Sequence, residues 1–149
     1  MVNVINEMNL NFLSRSCNES FARATIAAFV SQLDPTIDEL SDIKTAISEA
    51  VTNATVHAYK SGIGVIYISA KLYENGRAVI KIRDKGCGIE NVEQAMEPLF
   101  TTGGSERSGL GFAVMQSFMD RIKVASKVGK GTTVTLEKYI IRRSVGNVR

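Results

Sequence analysis

Glu49, Asn53 and His57 stand four residues apart in the stretch SEAVTNATVHAY, and His57 is the chain's single histidine. On a helix, four residues advance a side chain by about 40°, so the three groups line one edge. Ala46, Ala50 and Ala54 flank them, small enough to let another molecule approach closely. A carboxylate, an amide oxygen and an imidazole in one row invite a metal reading. Zinc of the metalloprotease kind is excluded, because that helix needs two histidines on one face. A solvated helix edge explains the Glu49 and Asn53 pair as simply, so the stripe takes its meaning from what the rest of the chain brings to it.

Three other segments carry comparable signals. In Ile82-Arg83-Asp84-Lys85-Gly86-Cys87-Gly88-Ile89 a β-rich run ends in D-x-G-x-G. The two glycines let backbone pass against a flat ligand, and the carboxylate ahead of them can accept a hydrogen bond from an exocyclic amine such as adenine's. Turn chemistry alone also explains Asp and Gly after a strand. In Thr101-Thr102-Gly103-Gly104-Ser105-Glu106-Arg107-Ser108-Gly109-Leu110-Gly111-Phe112 a loop rich in glycine and hydroxyls runs into a helix, whose free N–H groups favour anions. That is a phosphate site or a flexible linker; Arg107 sharpens the first reading, since it can reach a γ-phosphate. Gly129-Lys130-Gly131-Thr132 is the plainest of the four, fully accounted for as a hairpin turn.

The elements that must position these groups are legible from periodicity. Met8, Leu10 and Phe12 alternate with polar residues as in a half-buried strand. Ser16 with Glu19 spells a capping box before a first helix that runs to about Leu33, and Thr36 with Glu39 spells a second one after the Asp34-Pro35 break. The second helix carries Ile37, Leu40, Ile43, Ile47, Ala50, Val51 and Ala54 on its apolar side and extends to about Ala58. Gly64–Leu72 and Arg77–Arg83 read as strands joined by an Asn75-Gly76 hairpin turn. Leu110–Met119 reads as a helix, and Ile122–Ser126 and Thr132–Tyr139 as two last strands. Helices early and hairpins late predict an α+β two-layer sandwich: a mixed, mostly antiparallel sheet covered on one face by helices.

The bulk numbers bound the partners. A chain of 149 residues, 44% hydrophobic and 22% charged, suits one globular domain rather than a disordered segment. No window approaches the roughly 18 apolar residues of a membrane helix, and the start lacks the basic-then-apolar order of a signal peptide. A cytoplasmic protein is expected, and Cys17 and Cys87 offer neither a disulfide framework nor a zinc site. The net charge of +3 is carried by the end of the chain, because Lys138, Arg142, Arg143 and Arg149 all follow the last acid, Glu137. Residues 1–137 are therefore expected to form a single domain and 138–149 a basic tail. The nearly neutral body leaves no footprint for direct nucleic-acid binding.

The order of the four segments says more than any of them singly. E-x-x-x-N on a helix, D-x-G-x-G after a strand, G-x-G opening a helix and G-T entering a last strand resemble the nucleotide site of the GHKL superfamily, which includes DNA gyrase, histidine kinases and mismatch-repair ATPases. Within it, ESFARATIAAFVSQLDPTIDELSDIKTAISEAVTNATVHAY and PLFTTGGSERSGLGFAVMQSFMD closely resemble the anti-sigma-F family of endospore formers, which are serine protein kinases. The resemblance implies the Bergerat ATP-binding fold, with ATP and Mg²⁺ as nucleotide and metal. It implies Asn53 as the Mg²⁺ ligand and Glu49 as the base that takes a proton from an acceptor serine. Asp84 would accept from adenine, supported by Thr132, with Gly86 and Gly88 making room for the ring. Thr101, Thr102, Gly109, Leu110 and Gly111 would line the phosphates, and Arg107 would contact the γ-phosphate. Partners implied are a sporulation sigma factor held inactive, an anti-anti-sigma factor phosphorylated on serine, and a second copy in a homodimer, with Glu19 and Arg23 as the sigma-contacting pair. The alternatives are a general-stress anti-sigma-B type kinase and a nucleotide-binding sigma antagonist without kinase activity.

Overall fold

A computed structural model describes residues 2–60, 62–97 and 111–141. β1 (Val4–Leu13), β2 (Val65–Tyr73), β3 (Arg77–Asp84), β4 (Arg121–Lys127) and β5 (Gly131–Tyr139) form one sheet in the order β1-β2-β3-β5-β4. Every pairing among the described residues is antiparallel, so the expected sandwich is present without a parallel strand. Short hairpins explain this: β2–β3 turns at Gly76 and β4–β5 at Gly129, both with positive φ.

The register places Ile66, Ile68, Ala70 and Leu72 of β2 beside Ala78, Ile80 and Ile82 of β3 and Val134 and Leu136 of β5, all buried. Onto this face pack α1 (Asn18–Val30), α2 (Ile37–Thr52) and α4 (Phe112–Phe118), contributing Ile26, Val30, Ile43, Ile47, Val51, Phe112 and Met115 to the same core. A fully buried isoleucine of this kind contributes about 1.5–3 kcal/mol. α3 (Val92–Met96), a short helix that periodicity did not reveal, is started by the Asn91 side chain accepting from the Gln94 N–H.

Of the two expected capping boxes, one forms. Thr36 Oγ1 accepts from the Glu39 N–H (3.0 Å), and the Glu39 carboxylate accepts from the Thr36 N–H (2.8 Å). At α1 the helix begins at Asn18 without a side-chain cap. The Glu19 carboxylate is drawn away from its own helix start, accepting instead from Arg23 one turn on and from the Ser48 hydroxyl of α2.

The domain also runs further than expected. The boundary placed after residue 137 falls inside β5, where Lys138 Nζ donates to the Phe118 carbonyl (2.7 Å) and pairs with Asp42. Ile140 is buried in the core, and its N–H donates to the Gly76 carbonyl (2.8 Å). An apolar side chain with somewhere to go outweighs the basic composition around it. Of the expected basic tail, 142–149 lies outside the described residues.

Candidate functional site

α2 does not end as an α-helix. From Asn53 to Ala58 it widens into a π-helical turn, the i→i+5 arrangement that favours neither uniform packing nor length and recurs at functional sites. The widening brings Asn53 and His57 beside Asp84 at the end of β3. Asn53 and Ala54 are buried, while His57 is half-buried at the last turn.

The π-turn is clasped to the segment after β3. The Tyr59 hydroxyl accepts from the Lys85 N–H (2.6 Å) and donates to the Val65 carbonyl (2.8 Å). Burial pushes the Tyr59 pKa above its ordinary value, so the hydroxyl keeps the proton it donates. The Cys87 N–H donates to the Ala58 carbonyl (3.0 Å). Gly86 makes this approach possible: a Cβ there would lie 2.3 Å from the Ala58 oxygen. The room that Gly86 makes is therefore for the π-turn backbone.

Asp84 closes β3 and is buried. Its Oδ1 accepts from the Gly86 N–H (2.9 Å) and from the Thr132 N–H (3.3 Å), leaving Oδ2 without a hydrogen bond from any described residue. Burial raises the Asp84 pKa from its ordinary value, and the two backbone donors oppose that rise. β5 comes close enough to donate because residue 131 is glycine, with φ at +126°; a Cβ would sit 2.1 Å from the Asp84 carbonyl oxygen. The Gly131-Thr132 pair, which reads as turn chemistry in sequence, is thus required by Asp84.

These pieces surround a cavity of about 210 Å³. Its floor and walls are apolar at Ala50, Ile82, Ile89, Phe112 and Val134, with Asn53, Asp84 and Thr132 turned into it and His57, Lys60, Cys87 and Gly88 at its wall. An apolar slot with one buried carboxylate oxygen left to accept a hydrogen bond fits a flat, amine-bearing base. A single amide oxygen, Asn53, fits a hard cation that takes its other ligands from phosphates and water. Among the described residues no cluster of His, Cys, Asp or Glu could hold a metal alone.

The sequence-expected residues do not all meet there. Glu49 stands outside the cavity wall, half-buried, with Oε1 packed against Gly111; a Cβ at Gly111 would lie 2.1 Å from that oxygen. Glu19 and Arg23 lie on α1, ion-paired and part-buried, and tied to Ser48 beside Glu49. Thr101, Thr102, Arg107, Gly109 and Leu110 lie outside the described residues. Two contributors escaped the sequence reading. One is Tyr59. The other is Ser126, whose hydroxyl lies 2.7 Å from Thr132 Oγ1, donates to the Gly131 carbonyl (3.1 Å) and accepts from the Ile89 N–H (2.8 Å). A lone serine inside an alternating strand carries no signal of such a role.

Comparison with known proteins agrees with this architecture. Residues 16–138 match the family of histidine kinase-like ATPase domains, which defines the class: an ATP-binding GHKL domain. The structure of the RsbU and RsbW domains of Rv1364c from Mycobacterium tuberculosis superposes with a TM-score of 0.67 at 20% identity, covering 93% of this chain and 33% of that one. The likeness to that structure is one of fold. The anti-sigma F factor of Priestia megaterium is 56% identical over 137 residues, 91% of this chain and 93% of its own length. That of Caldanaerobacter subterraneus subsp. tengcongensis is 58% identical over 138 residues, 92% and 96% of the two chains. The chain belongs to the anti-sigma F factor family, kinase-type proteins with an ATP site. No helix among the described residues is long and apolar enough to cross a membrane.

Proposed function

We propose that the protein binds a sporulation sigma factor and holds it inactive and that, as an ATP-dependent serine kinase, it phosphorylates an anti-anti-sigma factor. The observation that carries this reading is the meeting of Asn53 and Asp84 from two elements in one cavity, with Glu49 one helical turn from Asn53. Asp84 Oδ2 accepts from the adenine amine, and the apolar walls hold the ring. Asn53 supplies a side-chain oxygen to Mg²⁺, which offsets charge on the phosphates when bound.

In the transfer, Glu49 takes the proton from the acceptor serine hydroxyl. The serine oxygen forms a bond to the γ-phosphorus, and the bond from that phosphorus to the bridging oxygen breaks, leaving ADP. Arg107 balances charge on the transferred group, and Thr101, Thr102, Gly109, Leu110 and Gly111 hold the phosphates. Glu49 and Asn53 share one helix edge, so base and metal ligand keep a fixed separation. The Glu19 and Arg23 pair on α1 contacts the sigma factor. The protein acts in the cytoplasm as a homodimer, its folded domain being followed by a basic tail.

Labelled ATP, Mg²⁺ and the candidate anti-anti-sigma protein test the reaction directly. Label is expected on a serine of the partner. Sigma binding without any label transfer would leave a sequestering module and remove the kinase. With Glu49→Gln, transfer is expected to be lost while ATP binding persists.

A further inference from the structure

The face of the sheet away from the helices carries its own pattern. Outward positions hold Lys71 on β2 and Arg77, Lys81 and Arg83 on β3. β4 adds Arg121, Lys123 and Lys127, all exposed. Against these stand the carboxylates of Glu7 and Glu137, and Glu137 is already taken by Arg77 at 3.1 Å. Over the whole chain 18 basic residues face 15 acidic ones, so this is a local concentration and not the general charge. A solvated sheet face needs polarity, but both signs interspersed supply that; one sign in excess creates a field that draws the other.

The register gives the patch a centre. Lys81 lies across from Thr135, which lies across from Lys123, and Ser69 and Asn9 continue the same row. With strands about 4.8 Å apart, the two lysines stand about 10 Å from each other on either side of the Thr135 hydroxyl. Neither lysine has a carboxylate within ion-pairing distance among the described residues. Together with Arg121 and Lys71 they border a depression of about 430 Å³ on this face.

From this arrangement we infer that the open sheet face docks an acidic, carboxylate-rich segment of a partner protein. Polar donors set between ammonium groups match carboxylates spaced along a polypeptide. Single-stranded nucleic acid fits less well. Its bases need free aromatic faces, whereas Arg83 and Lys85 already stack on Tyr67 (4.4 and 5.1 Å) and Arg77 on Tyr73 (4.9 Å). Glu7 and Glu137 also interrupt any continuous track for phosphates. The surface is separate from the nucleotide cavity, which opens on the helical side, and the inference stands whether or not the kinase reading does.

The test is an NMR titration of the ¹⁵N-labelled full chain with short poly-L-glutamate and, in parallel, with a single-stranded oligothymidine. Poly-L-glutamate is expected to shift amides around Lys81, Thr135 and Lys123. Its affinity should fall about tenfold in Lys81→Glu/Lys123→Glu, less in the neutral Lys81→Gln/Lys123→Gln pair, and also with added salt. Affinity for a fluorescent ATP analogue is expected to be unchanged in both variants. Shifts scattered over the surface or gathered at the cavity would overturn the inference, as would undiminished binding by the charge-reversed variant. Tighter binding of the oligothymidine to the same amides would make the face a nucleic-acid surface instead.

Discussion

The Asp84 end of the cavity and the Glu49 end of the helix edge outside its wall are built differently. At the Asp84 end nearly every polar group is bonded to the protein: Asp84 Oδ1 to two backbone N–H groups, Thr132 to Ser126, and Tyr59 to Lys85 and Val65. At the Glu49 end the carboxyl is half-buried and rests against Gly111, while Ser48 next to it is tied outward to Glu19. One end is fixed before a ligand arrives. The other holds a side chain whose surroundings depend on how the Gly111 segment meets α2. Recognition gains from a rigid, desolvated acceptor, whereas proton transfer needs a carboxylate that an incoming hydroxyl can reach.

Glu49→Gln asks the most of this contrast. Glutamine keeps the shape packed on Gly111 but cannot take a proton. Transfer to the acceptor serine is expected to fall by roughly 10²–10⁴-fold, measured with labelled ATP, while nucleotide affinity stays within about twofold by calorimetry. A comparable loss of affinity would show that the two ends are one unit and dissolve the distinction.

Asp84→Asn should do the opposite, weakening binding first. With Oδ1 kept for Gly86 and Thr132, the new NH₂ group faces the adenine amine, donor against donor. With the amide flipped, that NH₂ faces the two backbone donors instead. Either way a buried polar group goes unpaired, at about 2–3 kcal/mol, or roughly 30–150-fold in ATP affinity. The same carboxylate predicts a pH dependence. Its pKa is raised by burial, so acidification removes the acceptor before ordinary carboxylates are protonated, and ATP affinity is expected to drop in that window in the native protein but not in Asp84→Asn. For the empty fold the sign is reversed: a raised pKa contributes stability that is present at low pH and lost as pH rises through it.

A smaller effect is expected from Tyr59→Phe, which touches no ligand. It leaves the Lys85 N–H and the Val65 carbonyl without their partner, costing about 1–2 kcal/mol of stability. Through Lys85, the neighbour of Asp84, it should also lower ATP affinity about fivefold. Thermal unfolding with and without a nucleotide analogue separates the two consequences.

How much of this could be read from the chain depended on whether a residue's role is set by its neighbours in sequence. The placement of Asp84 at a strand end and of Asn53 late on a helix was legible because each follows from neighbours in sequence, while their roles, like that of Glu49, came from resemblance. The Thr36 and Glu39 box was legible for the same reason, both partners being in one turn. The Ser16 and Glu19 box failed because Ser48, on another helix, competes for the carboxylate. The π-turn from Asn53 to Ala58 was invisible, since six residues are too few to tell its period from that of an α-helix. Gly131 looked like a turn residue because the oxygen that excludes a side chain belongs to Asp84, on the neighbouring strand. Thr101, Thr102, Arg107, Gly109 and Leu110 remain proposals, drawn from resemblance.

The smallest expected effect serves as the control for the rest. Arg77 and Glu137 form a two-pronged ion pair at 3.1 Å on the open sheet face, and the guanidinium holds the Glu137 pKa below its ordinary value. A depressed carboxylate contributes stability that is present above its unfolded pKa and lost as pH falls through the folded one. Glu137→Gln is therefore expected to cost about 0.5–1 kcal/mol near neutrality, with the gap to the native protein closing at acidic pH in denaturant titrations. The pair lies in β3 and β5, the same two strands that carry Asp84 and Thr132. If loosening those strands were enough to disturb the site, Glu137→Gln would weaken ATP binding as well. Unchanged affinity, beside the losses in Asp84→Asn and Tyr59→Phe, would assign the rigidity of the Asp84 end to its own hydrogen bonds and not to the sheet beneath it.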